Sequence, residues 1–393
     1  MRPSPIPAPD VEFLKTIVDD ARATESETVS LVLVDGVFVQ SLSCLKDVRS
    51  SVKIRSKLNN QQNDPRQSLA CGSIQNSSKS STLFSHLNGA CAKDFVSIEI
   101  ADDAAVDNII QIVYISTSSN ENANCETALS FPRGIIRVGS GASCSILETF
   151  VSASSSGSSS NALHVSFPVL EISLGLGAEL RHDYSQQISR EAYHIRQTYV
   201  KQSQQSKYVF AGVDTGSKVC RHDLSVGQDG PETSTNLYTF AMVNENQVID
   251  LHSDIDLEYP SSKTEQLHKC IASHSSSRGV FDGCVHVRKE AQQTDAGQLC
   301  RSLLLDRNAT VNVKPNLRIH ADDVKCTHGA TISDLEEEQL FYLRSRGITN
   351  EDARRTLIYS FGFDVVGRML SESTKKRIAT QLAETCKMSD LES

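Results

Sequence analysis

From Ile109 to Ile332 the chain offers short β-branched and aromatic runs separated by Gly, Asn, Asp and Ser, with no convincing helical period before Ser333. A stretch that long without helices folds as a sandwich, a barrel or a solenoid. Two turns within it resemble each other. Val138-Gly-Ser-Gly-Ala-Ser-Cys-Ser-Ile146 and Leu174-Gly-Leu-Gly-Ala-Glu-Leu-Arg-His182 both place Gly-x-Gly-Ala ahead of alternating residues. A turn that returns at this spacing favours a β-solenoid, in which each coil buries its apolar face on its neighbours.

The flanks read differently. Val11–Ala23 has helical spacing, with Val11, Leu14, Ile17 and Val18 on one face. Asp35-Gly36 between apolar runs (Leu31–Val39) signals a hairpin, because both positions tolerate positive φ. Lys57–Asp94 is rich in Ser, Asn and Gln and reads as a loosely ordered insertion. Val151–Asn161, nearly all serine, reads as a surface loop between coils. After the strand region, Ser333-Asp-Leu-Glu336 matches a capping box. Leu335, Leu340, Phe341 and Leu343 then give an apolar face, and Gly347 supplies the stop. Thr349-Asn-Glu-Asp352 opens a second helix whose Ala353, Leu357, Ile358, Phe361 and Val365 face inward, and Ser373–Cys386 forms a third. The expected division is an N-terminal region (1–105), a strand core (106–332) and a C-terminal helical domain (333–393).

Charge and composition exclude several classes. The net charge of −9, without a block of like charges, argues against nucleic-acid binding. No apolar run approaches the roughly 18 residues of a membrane helix. The eleven cysteines contain no C-x-x-C pair, so neither a zinc ribbon nor a thioredoxin-type motif is supported, and reduced thiols are expected. The first thirty residues are too acidic for a transit peptide and lack the apolar centre of a signal peptide, so the chain carries no readable address.

The stretch Asp322–Thr331 carries the chemistry. In an extended segment Cys326 and His328, two residues apart, project to the same face and can both bind iron or zinc. Two donors do not complete a tetrahedral site, so a metal here is shared with other residues or another chain. The bland alternative packs Cys326 inward while His328 hydrogen-bonds at the corner before the helices. Gly212-Val-Asp-Thr-Gly-Ser-Lys218 misses the spacing of a phosphate loop and reads as a turn between strands. No G-x-S-x-G, H-E-x-x-H or dinucleotide fingerprint occurs. His182, His194, His222, His252 and His286 read as interior or surface histidines, and Asp250, His252 and Asp254 as a hydrogen-bonded polar ladder on one strand face, with metal binding as the lesser alternative. No run of carboxylates and basic residues along one face, as a glycan-cleaving β-helix enzyme needs, is visible in the sequence.

An ordered set of motifs adds a family. Arg278-Gly-Val-Phe-Asp-Gly283, Ala291-Gln-Gln-Thr-Asp295, Leu303-Leu-Leu305, the run from Lys314 to Thr331, and Glu338-Gln-Leu-Phe-Tyr-Leu-Arg-Ser-Arg-Gly347 resemble the SufB/SufD family. The Lys-Pro…Asp-Asp-Val-Lys-Cys run points to its SufD branch, part of the SufB–SufC–SufD complex that assembles iron–sulfur clusters. Weaker agreement extends through Glu191–Ile195 and Gly139–Ala142 to the Val32–Leu42 hairpin.

The resemblance implies a mainly β fold, a right-handed parallel β-helix flanked by a small N-terminal α/β region and a C-terminal α-helical domain. It implies a non-enzymatic scaffold subunit whose β-helix pairs with that of SufB and whose terminal helices dock SufC, an ABC-type ATPase. His328 matches a proposed interface ligand, with Cys326 in support. Leu340, Phe341, Tyr342, Arg344, Arg346 and Gly347 are candidate SufC contacts. No cofactor is expected to be tightly bound by this chain alone, and a transient iron–sulfur cluster would be shared with SufB. Family resemblance suggests a plastid, with the cytoplasm as alternative. Relatives carry a longer N-terminal helical region with a Trp-containing motif, whereas this chain has no Trp, so the N-terminal segment is expected to be shortened. The rival readings are a β-helix carbohydrate-active enzyme and a derived structural protein without assembly activity.

Overall fold

The computed structural model describes residues 11–23, 29–45, 50–56, 82–117, 127–153 and 163–388. Two sheets share the strands almost alternately. The first runs from the hairpin strands Val37–Phe38 and Val29–Val34 through Ala105–Thr117, Ser143–Ala153, Glu179–Gln187, Lys207–Asp214, Ser234–Val243, Lys263–Ala272 and Thr294–Leu304 to Val324–Ser333. The second runs from Val52–Ser56 and Val96–Ile100 through Arg133–Val138, Val169–Leu174, Tyr193–Ser203, Val219–Asp229, Val248–Leu257 and Arg278–Val287 to Thr310–Ile319. From Val96 onward each strand on these paths pairs in parallel with the strand one coil away, as at Val226, Ile255 and Val285. The molecule is the parallel β-solenoid that the repeated turn predicts.

Alternation decides which side chains enter the core. In Val248–Leu257, Ile249, Leu251, Ser253, Ile255 and Leu257 are buried, while Asp250, His252, Asp254 and Asp256 lie on the outer face. Because parallel register keeps the same face inward, interior residues stack in columns. One column runs Ile110, Ile146, His182, Phe210, Leu237, Gln266, Gln298 and His328. The Gly-x-Gly-Ala turns stack likewise: the Gly141 N–H donates to Leu176 O at 2.8 Å, and Gly141 and Gly177 both adopt positive φ (+66° and +63°). That backbone is what the second glycine of each motif makes accessible.

The core is not wholly apolar. Glu148, His182 and Arg196 are fully buried between coils, the carboxylate ion-paired with the guanidinium and in contact with the imidazole. His182 Nε2 lies 2.8 Å from Glu148 Oε2, and Arg196 sits 4.3 Å above the Tyr184 ring. Burial raises the Glu148 pKa, but Arg196 and the His182 hydrogen bond outweigh it and bring the group to about 2.

Helix α1 (Val11–Ala21) covers the outer face of the first sheet near its start, packing Leu14 and Val18 on Val32, Val113 and Ile115. Helix α2 (Leu83–Cys91) serves the second sheet, where Asn88 Nδ2 donates to Pro132 O and Phe167 O. Helices α3 (Glu337–Ser345), α4 (Asn350–Val366) and α5 (Glu372–Met388) follow the last coil. The pair α4–α5 folds back on the outer face of the first sheet, burying Ile358, Val365, Ile378 and Leu382 against Val213, Phe240, Met242 and Ile271. Each such side chain contributes about 1.5–3 kcal/mol. Lys269 fastens the same seam through Asp364 at 2.8 Å and Phe361 O at 3.1 Å.

Several expectations hold. The hairpin turn has Asp35 and Gly36 at positive φ, Thr349 caps α4 by accepting from Asp352 N–H, and Gly347 (φ +88°) ends α3. Others are corrected. The capping box at Ser333–Glu336 does not form, because Ser333 is still in the last strand, paired with Leu303, and α3 starts at Glu337. The stretch taken as loosely ordered contains α2, whose Thr82–Ser85 box is a genuine cap that composition hid. The rest of that insertion, 57–81, and most of the serine loop, 154–161, lie outside the described residues. The hairpin strand Val29–Val34 pairs in parallel with Ala105–Thr117 and so joins the first sheet.

Candidate functional site at the last coil

The coil formed by Thr310–Ile319 and Val324–Ser333 ends both sheets, and among the described strands nothing pairs with their outer edges. It therefore presents unpaired backbone groups together with interior-facing side chains that no further coil covers. Ile319 and Ile332 are left substantially exposed here.

Cys326 and His328 both stand on this coil, on the same face as the spacing predicts. Cys326 registers with buried Ala296 and is half-buried against the core, and His328 registers with buried Gln298 and is exposed. His328 thus closes the interior column described above. The alternative with Cys326 inward and His328 at the corner is half met: the thiol does pack inward, but His328 lies within the strand. Burial raises the Cys326 thiol pKa, with Asp295 adding to it, so the proton must be displaced by whatever the sulfur binds.

The column leading to His328 is polar, which sequence spacing did not reveal. Gln298 Nε2 donates to Gln266 Oε1 at 2.8 Å, and Gln266 Nε2 donates to Ser253 Oγ at 2.7 Å. Gln298 Oε1 is buried and accepts no hydrogen bond among the described residues. Gly283 makes room for this amide: a Cβ there would meet Gln298 Nε2 at 2.4 Å and the Phe281 ring at 2.5 Å. That gives the second glycine of the Arg278–Gly283 motif a steric reason.

Helix α3, next in the chain, buries none of its residues. Phe341 and Tyr342 are 73% and 57% exposed, Leu340 is half-buried, and Arg344, Arg346 and Gly347 are exposed, with Arg346 stacked 5.2 Å from the Tyr342 ring. Two exposed aromatics on one short helix form an apolar surface that none of the described residues covers.

The glycine-containing segment Gly212–Lys218 is only partly the expected turn: Gly212, Val213 and Asp214 end the strand Lys207–Asp214, and 215–218 connect it to Val219–Asp229. The outer face of the second sheet corrects a different expectation, since it does gather carboxylates and basic groups. They are mostly paired off: Asp256 with Arg288 at 2.7 Å, Asp223 and Asp250 with Arg221 at 2.9 and 3.1 Å, and Asp282 with Lys314 at 3.1 Å.

The chain matches the family model described as "SUF system FeS cluster assembly, SufBD core domain" over residues 114–361. It is 46% identical to the protein ABCI7, chloroplastic, of Arabidopsis thaliana over 287 residues, 73% of this chain and 59% of that protein. The matched region thus spans about three fifths of that relative. A SufBD family protein of Synechocystis is 33% identical over 90% of this chain and 77% of its own length, and the SufD protein of Escherichia coli is 28% identical over 93% and 81%. The family-model match over more than half of the chain and the Synechocystis relative, on a parallel β-solenoid, settle the kinship: the chain belongs to the SufBD family of SUF-system iron–sulfur cluster assembly proteins.

Proposed function

We propose that this chain is a non-catalytic scaffold subunit of a SUF assembly complex, in which its last coil abuts the β-helix of a SufB subunit. The observation that carries this reading is the last coil itself: its outer strand edges pair with none of the described strands, and Cys326 and His328, an incomplete donor set, stand on one of them at the open end of the solenoid. A second chain seated there supplies the missing ligands, and the cargo is a nascent iron–sulfur cluster held between the two. Imidazole is an acceptable iron ligand when neutral, and a thiolate when its proton is lost. The exposed face of α3, with Phe341 and Tyr342, is the surface proposed for the SufC ATPase. Relatives named as chloroplastic support a plastid setting.

Co-expression with SufB and SufC partners, followed by anaerobic affinity purification and size-exclusion chromatography, tests the assembly. A complex of all three is expected; this chain eluting alone beside well-folded partners refutes it. Within the complex, His328→Ala is expected to lower iron and sulfide content while leaving the subunits associated. Unchanged cluster content would exclude the histidine as a ligand.

A further inference from the structure

The outer face of the second sheet holds a cluster that the scaffold role does not use. Parallel register places Asp254 beside Cys284, and His286 follows two residues later on the same face. Cys284 Sγ lies 3.2 Å from His286 Nε2, and the same nitrogen lies 3.2 Å from Asp254 Oδ1. The donor atoms of all three residues fall within 4.8 Å of one another.

Hydrogen bonding does not satisfy this arrangement. One imidazole nitrogen carries either a proton or a lone pair, so it serves the thiol or the carboxylate but not both. Asp254 Oδ1 is in fact buried and, among the described residues, accepts no hydrogen bond in spite of the nearby ring. Tetrahedral bonds of about 2.0–2.3 Å put ligand atoms about 3.5 Å apart, close to the two separations of 3.2 Å that meet at His286. Arg288 is held by Asp256 through two contacts of 2.7 Å, and Lys314 by Asp282 at 3.1 Å, so both nearby cations have carboxylate partners. Arg318 is the third cation at this face; its charge favours the ionised forms of Cys284 and Asp254.

We propose that Asp254, Cys284 and His286 form a binding site for a divalent first-row transition ion of borderline softness, Zn(II) or Fe(II). Mixed O, S and N donors select for such ions over Mg(II) or Ca(II). Three protein ligands leave a fourth position, which faces a groove of about 560 Å³ that Asp254 and His286 line with Asp256, Glu258 and His320. The ion is therefore reachable from solvent and exchangeable. On binding, the Cys284 S–H bond breaks and its proton passes to solvent, the sulfur keeping the electron pair that forms the metal bond.

Anaerobic titration of the purified full-length chain with Co(II) tests this, because thiolate ligation gives a near-ultraviolet charge-transfer band. The expected result is such a band saturating at about one ion per chain. Cys284→Ser abolishes it, while His286→Ala and Asp254→Asn keep the thiol and weaken binding at least about tenfold. A Cys326→Ser/His328→Ala chain retains the band, so the result is independent of the interface reading above. No band in the unaltered chain, or a band that survives Cys284→Ser and vanishes with Cys326→Ser/His328→Ala, overturns the proposal.

Discussion

The side chain of Asp183 accepts a hydrogen bond from the backbone N–H of Leu370, 187 residues further along the chain. Asp183 points out of the first sheet and Leu370 lies between α4 and α5, so this bond and Arg181 Nη2 to Arg368 O (3.2 Å) tie the helical pair to the solenoid wall. The carboxyl is almost fully enclosed.

Burial raises the Asp183 pKa from 3.8 to about 7, against the opposing effects of the Leu370 N–H, Arg181 and Lys375. The folded state thus keeps a proton that the unfolded chain releases. Its stabilising contribution is complete below about pH 3.8 and is lost as pH rises to about 7. Asp183→Asn removes that slope. Melting temperatures measured against pH should show the variant gaining on the parent from pH 4 to pH 7 and holding a constant lead above; parallel curves would refute the assignment.

The Glu148–Arg196 pair has the opposite sign. Glu148 is pulled down to about 2, so its contribution is present above its ordinary 4.5 and fades only in strong acid. Arg196→Met strands a buried carboxylate and is expected to cost about 3–5 kcal/mol in urea unfolding. Adding Glu148→Leu should recover much of that loss, since the stranded charge leaves with it.

Gly283→Ala pushes a methyl group into the Gln298 amide and the Phe281 ring. The expected cost is about 1–3 kcal/mol of stability. Pairing it with Gln298→Ala, which vacates the amide's space, should reduce the penalty in a double-mutant cycle.

Phe341→Ser and Tyr342→Ser act on an exposed helix, so thermal stability should change by no more than about 0.5 kcal/mol. Capture of a purified SufC partner is nonetheless expected to fall sharply. Equal capture by parent and variant would move the docking surface elsewhere.

Much of the architecture was legible because a solenoid writes its period into local sequence. The repeated Gly-x-Gly-Ala turns marked stacked corners, and the Cys326/His328 spacing placed both donors on one face without knowledge of the fold. What local pattern could not supply was register. Gln266, Gln298 and His328 share a column only once three coils are aligned, and the sequence distances between them, 32 and 30, are unequal. Cys284 and His286 carry the same Cys-x-His spacing as Cys326 and His328, so that signal was available, but their third partner Asp254 comes from the preceding coil. Helix α2 was masked by the polar composition around it, since its short amphipathic face rests on one capping box and the buried Asn88.

The uncovered last coil resembles the growing face of a crystal. It is a template whose next layer can be any strand pair of suitable register, and copies of this same chain carry such pairs. The exposed flanking charges Asp322, Asp323 and Lys325 slow that addition without abolishing it. The end of the solenoid is thus a surface defined by pairing capacity, open to any strand that matches its register.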